Sequence, residues 1–301
     1  MLQPGQQIEN YRIDAVLGEG GMGTIYRATD VNLMRPVAVK VMHGNLAADP
    51  AFQGRFLQEA RAAARLDHPS IVRVYHFGRQ SDLLYIVMEL VQGLSLGAYL
   101  RQLAQLNQVV RLEETLTLVA QAADALGYAH RQGVVHRDIK PDNILVKRLD
   151  RPDRPGDPPL RAMVTDFGLA KLAETDGETQ SGMMMGTLPY MSPEQVLDRP
   201  VDGRSDIYSL GVVLYQLATG RLPLDIRSPE RALQAHQYEE VPAPRAVHAG
   251  VPPAVEAVIL RALARRPEER YQMAEELAAE LRQAATTVTD QEAQAFATDS
   301  D

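Results

Sequence analysis

The 301-residue sequence contains no cysteine, and this absence excludes disulfides, thiolate zinc sites, iron–sulfur clusters and a cysteine nucleophile. An excess of positive charge is also lacking, because 31 Lys and Arg residues stand against 39 Asp and Glu residues and give a formal net charge of −8. Nucleic acid is therefore not expected as a partner. Residues 1–14 lack the basic and apolar pattern of a signal peptide, and no run approaches the roughly 20 apolar residues that span a bilayer. We expect no membrane segment in this chain.

The composition is that of a soluble globular protein, with 45% apolar and 23% charged residues. At about 150 residues per domain, the length predicts roughly two domains. Residues 8–91 consist of strand-like segments and one helix, in which Phe52, Phe56, Ala60 and Ala64 recur at every fourth position. We predict a small sheet carrying one helix. The predicted strands are 11–17, 24–28, 36–42, 71–75 and 83–90.

The pattern becomes helical from about residue 92. The clearest helix is Leu112 to Arg131, which carries an apolar stripe and is followed by Gly133, a residue type favoured just beyond helix ends. Residues 283–301 contain four acidic residues, no Lys or Arg and one aromatic, so we expect a disordered acidic tail there. Further helices are predicted at 206–219, 253–264 and 273–282.

A glycine cluster, GEGGMGTI, spans residues 18–25. Glycine lets the backbone approach phosphate groups closely, because no Cβ stands in the way. The pattern alone is weak, since a tight hairpin turn uses the same residues. A dinucleotide-binding Rossmann turn needs a helix directly after the glycines, whereas Thr24, Ile25 and Tyr26 predict a strand. We therefore predict a hairpin that covers a nucleotide.

Lys40 lies in the middle of a predicted strand, within the sequence VAVK. A lone strand lysine is usually solvated, but an ammonium group among valines is costly without a counter-charge. Glu59, on the helix that follows, can supply that charge. We predict that Lys40 pairs with Glu59 and holds phosphate oxygens.

Two further segments carry groups suited to phosphate chemistry. In the sequence HRDIKPDN, at residues 136–143, Asp138 offers a carboxylate that can orient or deprotonate a hydroxyl, and Lys140 offers a charge for a phosphate. Asn143 and Asp166, the latter within the sequence DFG, offer two oxygen ligands from different segments, which suit Mg²⁺. Each segment alone is also compatible with a solvated turn.

Taken in chain order, the glycine cluster, VAVK, the helix glutamate, HRDIKPDN, DFG and the sequence SPE at residues 192–194 resemble the signature set of protein kinases. The resemblance covers roughly residues 8–282 and is to the eukaryotic-like (Hanks-type) Ser/Thr protein kinases of bacteria. It implies an α+β, bilobal protein kinase fold. The N-lobe, residues 8–91, would be a small antiparallel sheet with one main helix, and residues 92–282 would form a larger, mostly helical C-lobe.

The resemblance also implies transfer of the γ-phosphate of ATP to Ser/Thr hydroxyls of proteins, with Mg²⁺ or Mn²⁺ as cofactor. Asp138, Lys140 and Lys40 would be catalytic, and Asn143 and Asp166 would bind the metal ion. The residues that would bind ATP are Leu17, Gly18, Glu19, Gly20, Gly21, Met22, Gly23, Ile25, Ala38, Lys40, Glu59, Met88, Glu89, Val91, Leu145 and Asp166. Among these, Met88 would be the gatekeeper, and Glu89 and Val91 would present backbone groups to adenine.

Supporting roles follow from the same resemblance: Thr187 would bond to Asp138 and Lys140, Asp206 would brace the backbone of the catalytic loop, and Arg270 would pair with Glu194. Phosphorylation that activates the enzyme would fall on Thr179 and Ser181, because Arg137 beside the catalytic aspartate is a cation suited to a phosphate. A back-to-back homodimer of N-lobes is also expected, because the alanines at 60 and 62–64 leave the helix of Glu59 without bulky anchors.

Two features depart from the family pattern. Residues 147–161, rich in proline, arginine and aspartate, lengthen the segment between Asn143 and Asp166, and we predict a surface loop or lengthened hairpin there. Ser192 stands where alanine is more usual. Neither feature removes a group that phosphoryl transfer needs.

Two other functions compete with the kinase interpretation. A kinase-fold binding module, such as a pseudokinase or scaffold with negligible turnover, usually lacks one of the residues matching Lys40, Asp138, Asn143 and Asp166, and all four are present. A small-molecule kinase is disfavoured by residues 186–194, which in protein kinases dock a polypeptide. Because many relatives are receptors, we expect a cytoplasmic protein or the cytoplasmic part of a longer membrane receptor.

Overall fold

The structure is a computed structural model that describes residues 1–43, 50–106, 108, 110–152, 158–167 and 186–288. The chain divides into two compact units. The first comprises Met1–Val91 with Phe167–Met184, and the second comprises Gln92–Asp166 with Met185–Asp301. In the described residues, the first unit is built on an antiparallel sheet and the second is mostly helical, which confirms the predicted α+β class.

The regular elements are numbered in chain order. The strands are β1 (Gln7–Ile8), β2 (Tyr11–Gly20), β3 (Gly23–Asp30), β4 (Arg35–Met42), β5 (Val74–Gln80), β6 (Leu83–Glu89), β7 (Gly93–Ser95), β8 (Ile144–Arg148) and β9 (Leu160–Val164). The helices are α1 (Pro50–Ala63), α2 (Leu96–Gln105), α3 (Leu112–Arg131), α4 (Pro193–Val196), α5 (Gly203–Thr219), α6 (Pro229–Tyr238), α7 (Pro244–Val247), α8 (Pro253–Ala262) and α9 (Ala274–Thr287). Among these, no helix is both long enough and apolar enough to span a bilayer.

The first unit is a six-stranded antiparallel sheet with the order β1-β2-β3-β4-β6-β5. One face of the sheet buries an apolar core that includes Tyr26, Val39 and Tyr85. Helix α1 packs through Phe56 against Phe77 of β5, with ring centroids 5.1 Å apart. The apolar stripe predicted for this helix is confirmed, apart from its last member.

That last member, Ala64, lies one residue beyond the end of α1 and is exposed, whereas Ala63 is buried. The strand predicted at 71–75 is also placed wrongly, since β5 spans Val74–Gln80. Ile71 is buried, but its N–H bonds to the His68 carbonyl in a turn around the intervening proline, at 3.0 Å. The apolar run was therefore a sign of burial and not of a complete strand.

In the second unit, the long helix α3 packs against α5, α9 and strand β9. Its predicted bounds are confirmed. It ends as expected, because Gly133 adopts φ = 75°, a left-handed conformation that costs glycine little. Helix α9 continues to Thr287 because Leu281 and Ala284 extend its buried face. The expected tail therefore begins no earlier than residue 288, and residues 289–301 lie outside the described part of the chain.

Residues 147–161, which lengthen the segment between Asn143 and Asp166, begin and end in a hairpin. Strands β8 and β9 pair from Ile144 opposite Val164 to Arg148 opposite Leu160. One further bond, from the Leu149 N–H to the Pro159 carbonyl at 2.8 Å, extends the pairing. The predicted lengthened hairpin is therefore observed at its base, and residues 153–157 lie outside the described part.

Candidate active site

The loop that follows α3 is anchored by a buried carboxylate. Asp206, in the first turn of α5, accepts the backbone N–H groups of His136 at 2.8 Å and Arg137 at 2.7 Å, and the His130 Nε2–H at 2.8 Å. Burial alone would raise the pKa of Asp206, but the hydrogen bond and charge of His130, together with His136, hold that pKa below its usual value. The predicted brace of the catalytic loop is therefore present.

The braced loop contains a strained residue directly before the candidate catalytic aspartate. Arg137 adopts φ = 68°, a left-handed conformation that is unfavourable for a side chain other than glycine. The next N–H, that of Asp138, donates to His136 Nδ1 at 3.2 Å, and His136 Nε2 lies 2.8 Å from the Thr165 carbonyl. Because a carbonyl only accepts, the Nε2 of His136 carries the hydrogen, and Nδ1 accepts from Asp138. The imidazole thus links the loop to the segment before Asp166.

The side chains of Asp138, Lys140 and Thr187 form one hydrogen-bonded group. Lys140 Nζ lies 3.0 and 2.9 Å from the two carboxylate oxygens of Asp138 and donates to Thr187 Oγ1 at 2.7 Å. Asn143 Nδ2 donates to two oxygens of Asp138, the backbone carbonyl at 2.7 Å and the side-chain Oδ2 at 2.9 Å. The side chains of Asp138 and Lys140 remain 22% and 20% exposed, so a substrate can reach both. The loop therefore presents an oriented carboxylate and an ammonium group side by side.

The two candidate metal ligands occupy the paired ends of the β8–β9 hairpin. Asn143 directly precedes β8, and its carbonyl accepts the Thr165 N–H at 3.0 Å. Asp166 is the next residue after Thr165, so this bond brings the backbones of the two candidate ligands together. Because Asn143 Nδ2 donates to Asp138, its Oδ1 is the atom that it can offer to a cation. An amide oxygen and a carboxylate are ligands that Mg²⁺ prefers, and this ion needs few protein ligands because it keeps water and phosphate oxygens. The residues therefore fit the predicted metal ion.

The glycine cluster forms the tip of the β2–β3 hairpin. Gly20 lies opposite Gly23, with Gly21 and Met22 between them. A Cβ on Gly23 would stand 2.2 Å from the Val41 carbonyl oxygen, so this glycine is required by the packing of the sheet. At Gly18, in contrast, no described residue other than the two chain neighbours has an atom within 4 Å of an added Cβ. Packing within the chain therefore explains Gly23 but not Gly18.

A histidine that was not singled out from the sequence holds this hairpin tip. The His43 N–H donates to the Met22 carbonyl at 3.0 Å, and its Nε2 lies 3.0 Å from the Gly20 carbonyl. A carbonyl is an acceptor, so Nε2 carries the hydrogen. No motif marks this position, because the two partners belong to a strand and a turn about 20 residues earlier in the chain.

The sheet register places four further candidate nucleotide-binding residues, Ile25, Ala38, Lys40 and Met88, on one face, whereas Glu89 lies opposite Val37 on the other face. Ala38 lies opposite Met88, and Lys40 lies opposite Ile25 on one side and Ile86 on the other. Residues directly opposite in antiparallel strands share a face. Phe77 is opposite Ile86 and touches α1, so the helix of Glu59 packs on that same face. The expected Lys40–Glu59 pair remains a prediction.

The structure assigns the candidate residues to the two units as follows. Leu17, Gly18, Glu19, Gly20, Gly21, Met22, Gly23, Ile25, Ala38, Lys40, Glu59, Met88, Glu89 and Val91 lie in the first unit, and Asp138, Lys140, Asn143, Leu145 and Asp166 lie in the second. Thr179 and Ser181 lie outside the described residues.

The predicted ion pair between Glu194 and Arg270 is present and buried. Two guanidinium nitrogens of Arg270 lie 2.7 and 2.9 Å from the carboxylate oxygens of Glu194. Burial alone would raise the pKa of Glu194, but the hydrogen bonds and charge of Arg270, with the Ser205 hydroxyl, lower it. This pair fixes helix α4, which directly follows the segment of Thr187, to the rest of the unit.

Comparison with known proteins places the chain among kinases. Residues 11–281 match the family described as "Protein kinase domain". The chain is 40% identical over 286 residues to serine/threonine-protein kinase PknB of Mycobacterium leprae, covering 93% of this chain and 44% of that protein. Serine/threonine-protein kinase PrkC of Bacillus subtilis is 39% identical over 274 residues, covering 91% of this chain and 40% of that protein.

A solved structure agrees with the sequence matches. The crystal structure of the Mycobacterium tuberculosis PknI kinase domain superimposes with a TM-score of 0.73 at 29% identity and covers 94% of this chain and 99% of that one. The chain spans less than half the length of the curated relatives named above. The likeness therefore concerns their kinase domains.

Proposed function

This chain belongs to the protein kinase domain family and is a Hanks-type bacterial Ser/Thr protein kinase catalytic domain, and from that premise we propose that it phosphorylates Ser/Thr hydroxyls of proteins with ATP. We propose that the full protein acts in the same way, in the cytoplasm, where ATP is available. The acceptors would include its own activation loop.

The observation that carries this proposal is the group formed by Asp138, Lys140 and Thr187. Phosphoryl transfer depends on positioning and on stabilisation of charge. Asp138 would orient and accept the proton of the attacking hydroxyl, and Lys140, bonded to both of its oxygens, would stabilise the transferred phosphoryl group. Thr187, bonded to Lys140, would join the acceptor-binding segment to this pair.

Nucleotide binding would fall to the residues named above for that role. Backbone N–H groups of the glycine hairpin would contact phosphates, and the open space at Gly18 supports a close approach. Lys40 would hold phosphate oxygens. Asn143 and Asp166 would hold Mg²⁺ or Mn²⁺, which neutralises phosphate charge when bound.

Incubation of the purified chain with radiolabelled ATP, Mg²⁺ and a generic basic protein tests this proposal. We expect label in the added protein and in the chain itself, on Ser and Thr only. Nucleotide binding without transfer would instead identify a kinase-fold binding module. Transfer to a small molecule but not to protein would identify a small-molecule kinase.

We propose that phosphorylation of Thr179 and Ser181 activates the enzyme. A phosphate adds about −1.5 to −2 charges and three acceptor oxygens, and Arg137 lies beside Asp138 to receive it. The double change Thr179→Ala and Ser181→Ala removes the phosphates and with them their charge-assisted bonds to Arg137, which are stronger than neutral hydrogen bonds. We therefore expect kcat to fall by about tenfold or more, with an unchanged ATP affinity. Unchanged phosphorylation of an added substrate by the double variant would place the switch elsewhere.

We also propose a back-to-back dimer of the first unit. Leu33 and Met34, at the turn between β3 and β4, are 64% and 78% exposed, and a partner that covered them would remove apolar surface from water. The alanine-rich helix α1 would then be supported by the partner. Specific activity is expected to fall on dilution, as the dimer dissociates. The variant Leu33→Asp is expected to show the specific activity of the diluted wild type at every protein concentration. Activity that does not depend on concentration would contradict the dimer.

A further inference from the structure

The side chain of Gln195, in the short helix α4, connects two segments that are far apart in the chain. Its Nε2 donates to the Arg137 carbonyl at 2.8 Å. Its Oε1 accepts from the Ser192 N–H at 3.0 Å and from the Ser192 hydroxyl at 3.1 Å. In turn, Ser192 Oγ accepts the Gln195 N–H at 3.4 Å, which completes a capping box at the start of the helix.

The chemistry of these partners fixes the orientation of the Gln195 amide. The Arg137 carbonyl can only accept, and the Ser192 N–H can only donate. If the amide were rotated by 180°, an oxygen would face a carbonyl and an NH₂ group would face an N–H. The orientation described above is therefore the one that satisfies both backbone groups.

This bond holds the peptide that leads directly into the candidate catalytic aspartate. Arg137 is the residue with φ = 68°, and its N–H is already held by Asp206 at 2.7 Å. Gln195 holds the carbonyl of the same residue, so both polar backbone groups of the strained position have partners. The plane of the peptide between Arg137 and Asp138 is therefore fixed from outside the loop. Strained conformations persist only where surrounding bonds determine them in this way.

Helix α4 follows the segment of Thr187 by only a few residues, so the same bond also connects that segment to the loop. Thr187 reaches Asp138 through Lys140, and Gln195 reaches it through the backbone of Arg137. The first connection contacts the side chain of Asp138, and the second holds the backbone that precedes it. Residues 187 and 195 are thus connected to Asp138 by two separate routes.

We propose that Gln195 is a positioning residue for catalysis, which keeps the Arg137–Asp138 peptide in the orientation that aims the Asp138 carboxylate. This inference rests on the proposed kinase function. It goes beyond that function by adding a residue that would act on Asp138 through the Arg137 backbone. Ser192 stands where alanine is more usual; its hydroxyl caps helix α4, and its backbone N–H, which any residue there would supply, bonds to Gln195 Oε1.

The test compares Gln195→Met with Ser192→Ala in the full chain. Gln195→Met keeps the length of the side chain and removes its donor and acceptor. Ser192→Ala removes the capping hydroxyl, but keeps the backbone N–H to Oε1 and the bond from Nε2 to Arg137. We expect Gln195→Met to lower kcat about tenfold with KM for ATP unchanged, because one hydrogen bond that positions the catalytic group is lost. Ser192→Ala should keep kcat within about twofold of the wild type, at a lower thermal stability.

A third variant, Gln195→Glu, sharpens the test. A carboxylate can still accept from Ser192, but it has no hydrogen for the Arg137 carbonyl. It should therefore lower kcat at least as much as Gln195→Met does. If kcat instead falls in all three variants in proportion to their loss of thermal stability, Gln195 is only a helix cap and the proposal is wrong.

Hydrogen exchange separates failure of this inference from failure of the proposed function. The Asp138 N–H is expected to exchange at least about tenfold faster in Gln195→Met than in the wild type and in Ser192→Ala, whether or not the protein transfers phosphate. A wild type without phosphotransfer would overturn the proposed function alone. Equal exchange in all variants would overturn the positioning role.

Discussion

Asp138→Asn is expected to lower kcat for phosphotransfer by about 10²–10⁴-fold, the contribution that a positioned general base makes to proton transfer. Asparagine has the same shape and keeps one oxygen for Lys140, so the loop should fold as before. It cannot take the proton of the attacking hydroxyl. Because Asp138 would address the acceptor, binding of a fluorescent ATP analogue should stay within about threefold of the wild type.

Two further variants serve as a control and a comparison for that result. Asp150→Asn makes the same change of charge at an exposed position beyond β8 and should leave kcat unchanged. Lys40→Met should also abolish transfer, but through a different step, because the lysine would hold ATP phosphates. Transfer by Asp138→Asn at the wild-type rate would refute the role assigned to the aspartate. Equal losses in Asp138→Asn and Asp150→Asn would indicate an effect of net charge alone.

The bounds of helix α3 could be predicted from the sequence to the residue, whereas the helices predicted at 206–219, 253–264 and 273–282 differ from α5, α8 and α9 by one to five residues at one or both ends. Helix α3 has the predicted bounds because its stripe is long and a glycine in a left-handed conformation follows it. The segment at 71–75 has apolar residues without such a period, and there burial and strand formation could not be separated. Its strand begins at Val74 because a turn around Pro69 occupies the residues before it.

In the candidate site, the sequence motifs predicted the charged groups, but they did not predict the residues that position these groups or the glycine hairpin. Asp138, Lys140 and Thr187 meet as the kinase resemblance implied. The contacts of Gln195 and His43 join segments 58 and about 20 residues apart, and no spacing in a single sequence reports such contacts. The capping pattern of a serine followed three residues later by glutamine was the one available sign for Gln195.

Arg270→Met is expected to cause the largest loss of stability. The guanidinium has five N–H donors, and each has an acceptor within 3.0 Å: the two oxygens of Glu194 and three backbone carbonyls. Removing one partner of a buried pair typically costs about 3–5 kcal/mol, because the other charge stays buried without compensation. For a domain of this size, that corresponds to a melting temperature roughly 10 °C lower. Surface pairs such as Arg227 with Asp225 provide the control, and Arg227→Met should change stability by less than about 1 kcal/mol.

The pH dependence of this loss identifies its cause. In the wild type, the pKa of Glu194 is lowered from about 4.5, so the stabilisation is present above that value and is lost as the pH falls through the lowered pKa. Without Arg270, burial raises the pKa of Glu194 above its unfolded value, so the variant loses stability as the pH rises through that pKa. The difference between wild type and Arg270→Met in urea unfolding should therefore be large at pH 7 and smaller at pH 4.5. Adding Glu194→Gln to Arg270→Met removes the buried charge and should recover part of the loss at pH 7 only. A difference that is the same at both pH values would mean that lost packing, and not the unpaired carboxylate, destabilises the variant.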